Sequence, residues 1–143
     1  RPEDFQDQIR ITETLENLLT KNPALLVIDS VTGLYRAGLG KPKEVFAYNR
    51  ELNRELAYLA DIARRYKLGT LLTGEVHSQP GFGEWAVEPV ATRTLRHWSQ
   101  LMVRLRPTAR REVRECVLEK MDGREVSGPR TFFRISETGI ENA

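Results

Sequence analysis

Apolar and polar positions alternate along this chain with more than one period, and each period predicts a different element. Phe5, Ile9, Thr12, Leu15 and Leu19 recur at helical spacing until Asn22-Pro23, which predicts a first amphipathic helix. Residues 24–28 are an unbroken apolar run before Asp29-Ser30, the pattern of a parallel strand buried on both faces. Residues 31–42, with Gly33, Gly38, Gly40 and Pro42, read as a loop. From 43 to 66, Val45, Leu52, Leu56, Leu59, Ala63 and Tyr66 form the apolar stripe of a long helix, and Glu51, Arg54, Glu55, Asp61 and Arg64 fill its wet side. Gly69 ends the following turn, and residues 70–73 predict the next strand. Strand, long helix, strand is a crossover unit and implies a parallel sheet.

The second half of the pattern is shorter in period. Residues 74–91 carry Pro80-Gly-Phe-Gly83 and Pro89 and predict a long structureless loop, of the kind that is functional or mobile in compact domains. A short helix is expected over 92–100. Alternating segments at 101–106, 112–121 and 131–136 then predict an antiparallel extension of the sheet. The expected class is α/β, with a parallel part that is incomplete.

Composition narrows the function classes. The 143 residues, 40% apolar and 29% charged, suit one globular domain with one core. No apolar run approaches the ~20 residues of a membrane span, so no membrane partner is expected. A single cysteine, Cys116, cannot form an internal disulfide and fits a reducing, cytoplasmic setting. The chain starts at Arg1, which suggests processing or excision from something longer. The net charge of +2 says little, but seven arginines lie between Arg93 and Arg114 against one acid, Glu112. That stripe fits either a phosphate-tracking surface or ordinary solvated strand faces. His77 and His97 lie apart in sequence from each other and from Cys116, so no zinc pattern exists.

Leu25-Leu-Val-Ile-Asp29 is a strand ending in a carboxylate, and ligands gather at the C-terminal ends of parallel strands. Alone, it fits equally well a strand entering an Asp-Ser turn. It is followed by Ser30-Val-Thr-Gly-Leu-Tyr-Arg36, by Asn49-Arg-Glu-Leu-Asn-Arg-Glu-Leu56, by Leu71-Leu-Thr-Gly-Glu-Val76 and by Arg93-Thr-Leu-Arg-His-Trp-Ser99. In that order, and over nearly the whole chain, these segments resemble the RecA/RadA recombinase family, in particular its archaeal RadB branch. Arg1-Pro-Glu-Asp-Phe5 and Phe133-Arg-Ile-Ser-Glu-Thr-Gly-Ile140 are similar to that branch as well.

The resemblance implies a RecA-like P-loop NTPase core, C-terminal half, whose parallel sheet is extended by antiparallel strands. It implies ATP and Mg²⁺ as cofactors, with Asp29 as the metal-side carboxylate and Ser30 beside it. Glu75 takes the catalytic position that senses the γ-phosphate, and Lys120 the basic position near a neighbouring subunit's nucleotide. Residues 37–43 and 76–92 match the two DNA loops. The DNA-contact set is then Arg36, Lys41, Lys43, Phe82, Trp85, Arg93 and Arg96, with single-stranded DNA the expected form. Phe82 and Trp85 suit either base stacking or anchoring of their own loop.

Three positions depart from the family pattern. No G-x-x-x-x-G-K-[ST] occurs in the 143 residues, so the backbone nest and lysine that hold the phosphates must come from a missing N-terminal ATPase segment or a partner chain. Glu75 stands where a neutral amide is usual. Ala91-Thr92 stands where paired glycines are usual. Two functions follow: part of a DNA-dependent ATPase of recombination and repair, with a recombinase partner or a homo-oligomer implied, or a non-enzymatic RecA-like interaction or DNA-binding module.

Overall fold

A computed structural model describes residues 1–40, 42–78 and 87–143. By their contacts they form two compact units, the first comprising Arg1–Ser78 with Val87–Trp98 and the second holding Ser99–Ala143.

Helix α1, Phe5–Glu13, opens the first unit. Asp4 caps it by accepting a hydrogen bond from the Asp7 amide at 2.7 Å. The predicted helix to Leu19 stops early because the Thr14 hydroxyl donates to the Ile11 carbonyl at 3.0 Å, and a single 3-10 turn, Leu15–Leu18, follows. Strand β1, Leu25–Ile28, leads to a five-residue helix α2, Gly33–Ala37, inside the segment expected to be a loop. Helix α3, Pro42–Tyr66, then crosses to β2, Gly69–Leu72, which pairs parallel with β1 from Leu25↔Gly69 to Ile28↔Leu72. Lys67, not Gly69, adopts the left-handed conformation that ends α3 (φ 55°), and the Leu68 amide closes the cap on the Ala63 carbonyl at 3.1 Å.

The core of this unit is built from Leu52, Leu56, Leu59 and Ile62 of α3, Phe5 and Ile9 of α1, Val31, and Tyr35 of α2, all buried. Phe5 meets Tyr35 edge-on at 5.6 Å and stacks on Tyr48 at 5.0 Å. The stripe on α3 is therefore rotated at its end: Ile62 is buried, whereas Tyr66 is an exposed large hydrophobic residue, as is Val45 near the start.

One expectation about α3 is overturned. Glu55 is not on the wet side but buried. It lies between Leu52 and Leu59 on the face turned to α1, and three hydrogen bonds from α1 replace its water. Gln8 Nε2 donates to both carboxylate oxygens at 3.0 Å, and Thr12 Oγ1 donates to Oε1 at 3.0 Å.

The β1–β2 pair is apolar on both faces, as its sequence predicts, but only one face is covered. Leu25, Val27 and Leu71 share the other and are 61%, 52% and 53% exposed. Parallel strands of this composition require cover on both faces. The segment predicted to be structureless contains strands β3, Val76–Ser78, and β4, Val87–Pro89, paired antiparallel. Phe82 and Trp85 fall at 79–86, outside the described residues. Helix α4, Thr92–Trp98, follows and docks on α3, the Trp98 indole N–H donating to Asn53 Oδ1 at 2.9 Å. Trp98 is thus a half-buried, hydrogen-bonded residue; Leu95 beside it is buried, and Leu101 is exposed.

The second unit is an antiparallel sheet of β5, Met102–Pro107, β6, Val113–Met121, β7, Arg124–Glu125, β8, Arg130–Ser136, and β9, Gly139–Asn142, in the order β5-β6-β8-β9 with β7 folded back on β6. Asp122 and Gly123, both at positive φ, make the two-residue hairpin between β6 and β7. The register puts Val103, Leu105, Cys116, Leu118, Phe133, Ile135 and Ile140 on one face. Arg104, Arg106, Glu115, Arg130 and Arg134 take the other, so the predicted alternation of charge and apolar residues on β5 holds. The arginines there are not simply facing water: Arg104 Nε lies 2.6 Å from Glu119 Oε1, and Arg130 pairs with Glu115 at 3.5 Å.

Candidate functional site

The C-terminal end of β1 meets the C-terminal end of β2, and the short hydrophilic residues there lock the two turns together. The Thr73 amide donates to the Ile28 carbonyl at 3.1 Å and the Val31 amide to the Thr73 carbonyl at 3.0 Å, extending the parallel ladder past the strands. Asp29 is exposed at this end, with its Oδ1 accepting from the Thr73 hydroxyl. The peptide bond between Asp29 and Ser30 is cis. Ser30 Oγ accepts from the Gly33 amide at 3.2 Å, fastening the turn to the first residue of α2.

Glu75 is the hub of the neighbouring layer. Its amide donates to Oγ1 of the fully buried Thr32 at 2.8 Å, and its carbonyl accepts from the Val90 amide at 2.8 Å. Its carboxylate pairs with Arg36 at 3.2 Å. The side chain lies against Gly33, where a Cβ would stand 2.7 Å from Ser30 Oγ and 3.2 Å from Glu75 Oε1; only glycine leaves room for both. Below, Gln8 Nε2 holds the Val31 carbonyl at 3.0 Å as well as the Glu55 carboxylate. Burial pushes the Glu55 carboxyl above its ordinary value of 4.5, against the opposing pull of the Gln8 and Thr12 hydrogen bonds. Burial also raises the Tyr35 phenol, whose hydroxyl donates to Asn49 Oδ1 at 2.7 Å.

The structure therefore brings together Asp29, Ser30, Arg36 and Glu75 of the sequence-derived set. Arg93 is exposed on α4, which starts two residues after Val90; Arg96 is half-buried and engaged in an interaction. Lys43 lies in the first turn of α3, and Lys41 falls outside the described residues. Lys120 belongs to β6 in the second unit, where it is buried and engaged in an interaction. Sequence reasoning missed Thr32, Thr73, Gln8 and Glu55. Gln8 and Thr12, four apart on the buried face of α1, were the available signal: two hydrogen-bonding side chains in an apolar stripe require a polar partner opposite.

Ala91 adopts φ 55°, a left-handed conformation that glycine would accept without strain. Ala91→Gly should raise the stability of the first unit by about 0.5–1 kcal/mol, the relief of the left-handed backbone less the extra freedom of glycine in the unfolded chain. Urea denaturation checks this, and a loss of stability would show that the strain is not felt there.

As chemistry, the site offers one exposed carboxylate at a parallel strand end. Such a group fits one corner of a hydrated Mg²⁺ whose other ligands are waters and phosphate oxygens. Among the described residues no cluster of three or more His, Cys, Asp or Glu could hold a metal by itself. No helix among them is long and apolar enough to cross a membrane.

The Rad51 family model matches residues 2–143. The chain is 33% identical over 141 residues to the DNA repair and recombination protein RadB of Thermococcus kodakarensis, covering 99% of this chain and 61% of that protein. It is 36% identical over 117 residues to RadB of Methanothermobacter thermautotrophicus, covering 81% and 48%. A crystal structure of the RadB recombinase superimposes with a TM-score of 0.71 at 31% identity, over 99% of this chain and 61% of that one. The RecA-like α/β architecture is thus shared, and this chain spans about three-fifths of the length of such relatives.

Proposed function

Because the chain belongs to the Rad51 family, we propose that residues 1–143 supply the metal-side carboxylate of an ATP–Mg²⁺ site and the DNA-facing loop roots of a recombination and repair protein. The observation that carries this reading is the position of Asp29: exposed at the C-terminal end of a parallel strand, tied to Thr73, and beside the turn that Glu75 and Arg36 fasten. When bound, Mg²⁺-ATP would supply the reactive phosphoryl group and the charge that Asp29 balances through a metal-bound water. Asp29 would hold and orient that water, its carboxylate fixed in place by the Thr73 hydroxyl. Glu75 lies against Gly33, its carboxylate paired with Arg36.

The phosphate-cradling loop is not in these residues. In this reading a further segment of the protein, or a partner chain, provides it and covers the exposed Leu25, Val27 and Leu71 face. Arg36, Arg93 and Arg96, together with Lys41, Lys43, Phe82 and Trp85, are the DNA-contact set, with single-stranded DNA the form favoured by stacking residues.

The test is Asp29→Asn in the full-length protein. Loss of a group that orients a metal-bound water should weaken Mg²⁺-dependent nucleotide binding by about 10–100-fold, with magnesium-free binding and the thermal transition little changed. Equal nucleotide affinity in the variant and the parent, with magnesium present, removes Asp29 from the metal site and leaves the interaction-module reading standing.

A further inference from the structure

Arg36 and Glu75 stand immediately before the two different loop regions, and the structure makes one contact out of them. Arg36 Nη1 donates to Glu75 Oε2 at 3.2 Å, and the two side chains are 51% and 43% exposed, so both remain in reach of a ligand in solution. Everything else about Glu75 is fixed. Its amide is held by Thr32 Oγ1, and its carbonyl by the amide of the buried Val90. Arg36 is fixed too at its backbone, its amide donating to the Thr32 carbonyl at 2.9 Å. Two anchored backbones thus face each other, and the exposed ion pair is the one link between them that another anion can take over.

An exposed pair of this kind is weak, whereas a guanidinium on a phosphodiester gains bidentate hydrogen bonds and releases a counterion. We propose that Arg36 is a phosphate contact gated by Glu75: in the free protein the carboxylate occupies the guanidinium, and the phosphodiester backbone of single-stranded DNA displaces it. The carboxylate at position 75 then lowers DNA affinity in the resting state and ties release of its own side chain to DNA occupancy. This rests on the reading of the α2 region as DNA-facing. A neutral amide at 75 has no charge to hold Arg36 and leaves the arginine free to bind.

The experiment is a double-mutant cycle on the full-length protein. Anisotropy of a fluorescent single-stranded oligonucleotide is titrated across a salt series with the parent, Glu75→Gln, Arg36→Ala and the double variant. Gating requires that Glu75→Gln tighten binding by about two- to fivefold, the strength of an exposed pair. Arg36→Ala should weaken binding and reduce the salt slope by about one. Glu75→Gln should then change nothing in the Arg36→Ala background. Should Arg36→Ala fail to fold, Arg36→Gln takes its place in the cycle. Equal tightening with and without Arg36 would mean long-range charge alone and would overturn the gate, as would unchanged or weaker binding by Glu75→Gln. Absence of DNA binding by the parent at low salt would instead overturn the DNA reading itself, and the gate with it.

Discussion

Leu56→Ala is expected to lower the unfolding free energy by about 2–5 kcal/mol, the range for deleting a fully packed leucine and leaving its cavity. Leu56 is 2% exposed in the middle of α3, with Leu52 and Leu59 one turn to either side, equally buried. Helix α3 packs against α1 and β2, and Ile9 and Val31 belong to the same buried core. A helix that serves as the crossover between two parallel strands cannot shift to fill the void without moving both strand ends, so little of the cost is recovered by relaxation. Val45→Ala, on an exposed position of the same helix, is the control and should cost well under half as much. Denaturant titration of the two variants gives the answer. Equal losses would mean that α3 is not packed along the stripe described.

Gln8→Ala should be the most costly polar substitution, at about 1–3 kcal/mol near neutral pH. It removes the donor that satisfies both oxygens of a buried carboxylate and, in the same stroke, the one that holds the Val31 carbonyl two residues past Asp29. The pH dependence has a definite sign. Burial raises the Glu55 carboxyl above its unfolded value, so the folded state favours the protonated form. The stability this contributes is fully present below the unfolded value of 4.5 and is lost as pH rises through the higher folded value. Gln8→Ala takes away a hydrogen bond that stabilises the charged form, so its cost should shrink on acidification toward 4.5. Glu55→Gln keeps an acceptor for Thr12 and Gln8, carries no charge, and should flatten the stability profile over the same window. The groups bonded to Glu55 are neutral, Gln8 and Thr12, while the nearby charges, Glu13 of α1 and Arg54 of α3, pair with each other and are unchanged in all three proteins. Denaturation of the three proteins at neutral and mildly acidic pH decides it. A Gln8→Ala penalty that grows on acidification would show that Glu55 is not the group responsible.

The crossover β1–α3–β2 was legible because its signals are periodic and additive. Ala24 to Ile28 is apolar at every position, and Leu52, Leu56 and Leu59 repeat at helical spacing over many residues, so a wrong residue or two does not hide the pattern. The antiparallel strands of the second unit were legible for the same reason, with charges and apolar residues alternating on β5 and β6. Shorter elements were not. Five residues of α2 are little more than one turn, and they are held helical by Tyr35 packing on Phe5 and Tyr48 rather than by propensity. β3 and β4 are three residues each and exist through pairing with one another.

Sequence by itself determined the fold class, the order of the elements and the position of Asp29 at a strand end, because each rests on residues near one another along the chain. The family resemblance put Ala91 where paired glycines are usual, but did not show that the backbone there takes the left-handed form. Only the tertiary structure decided the rest. Glu55 reads as a surface charge until α1, more than forty residues earlier, lays Gln8 and Thr12 across it. Glu75 reads as a free carboxylate until α2 brings Arg36 to it across 39 residues. That an apolar face or edge beside β1 lacks cover follows from a strand apolar on both sides in an incomplete sheet, but that it is the face of Leu25, Val27 and Leu71 does not. Whether a charge is paired, buried or open depends on partners distant in sequence, and no local pattern encodes which of them folding will bring near.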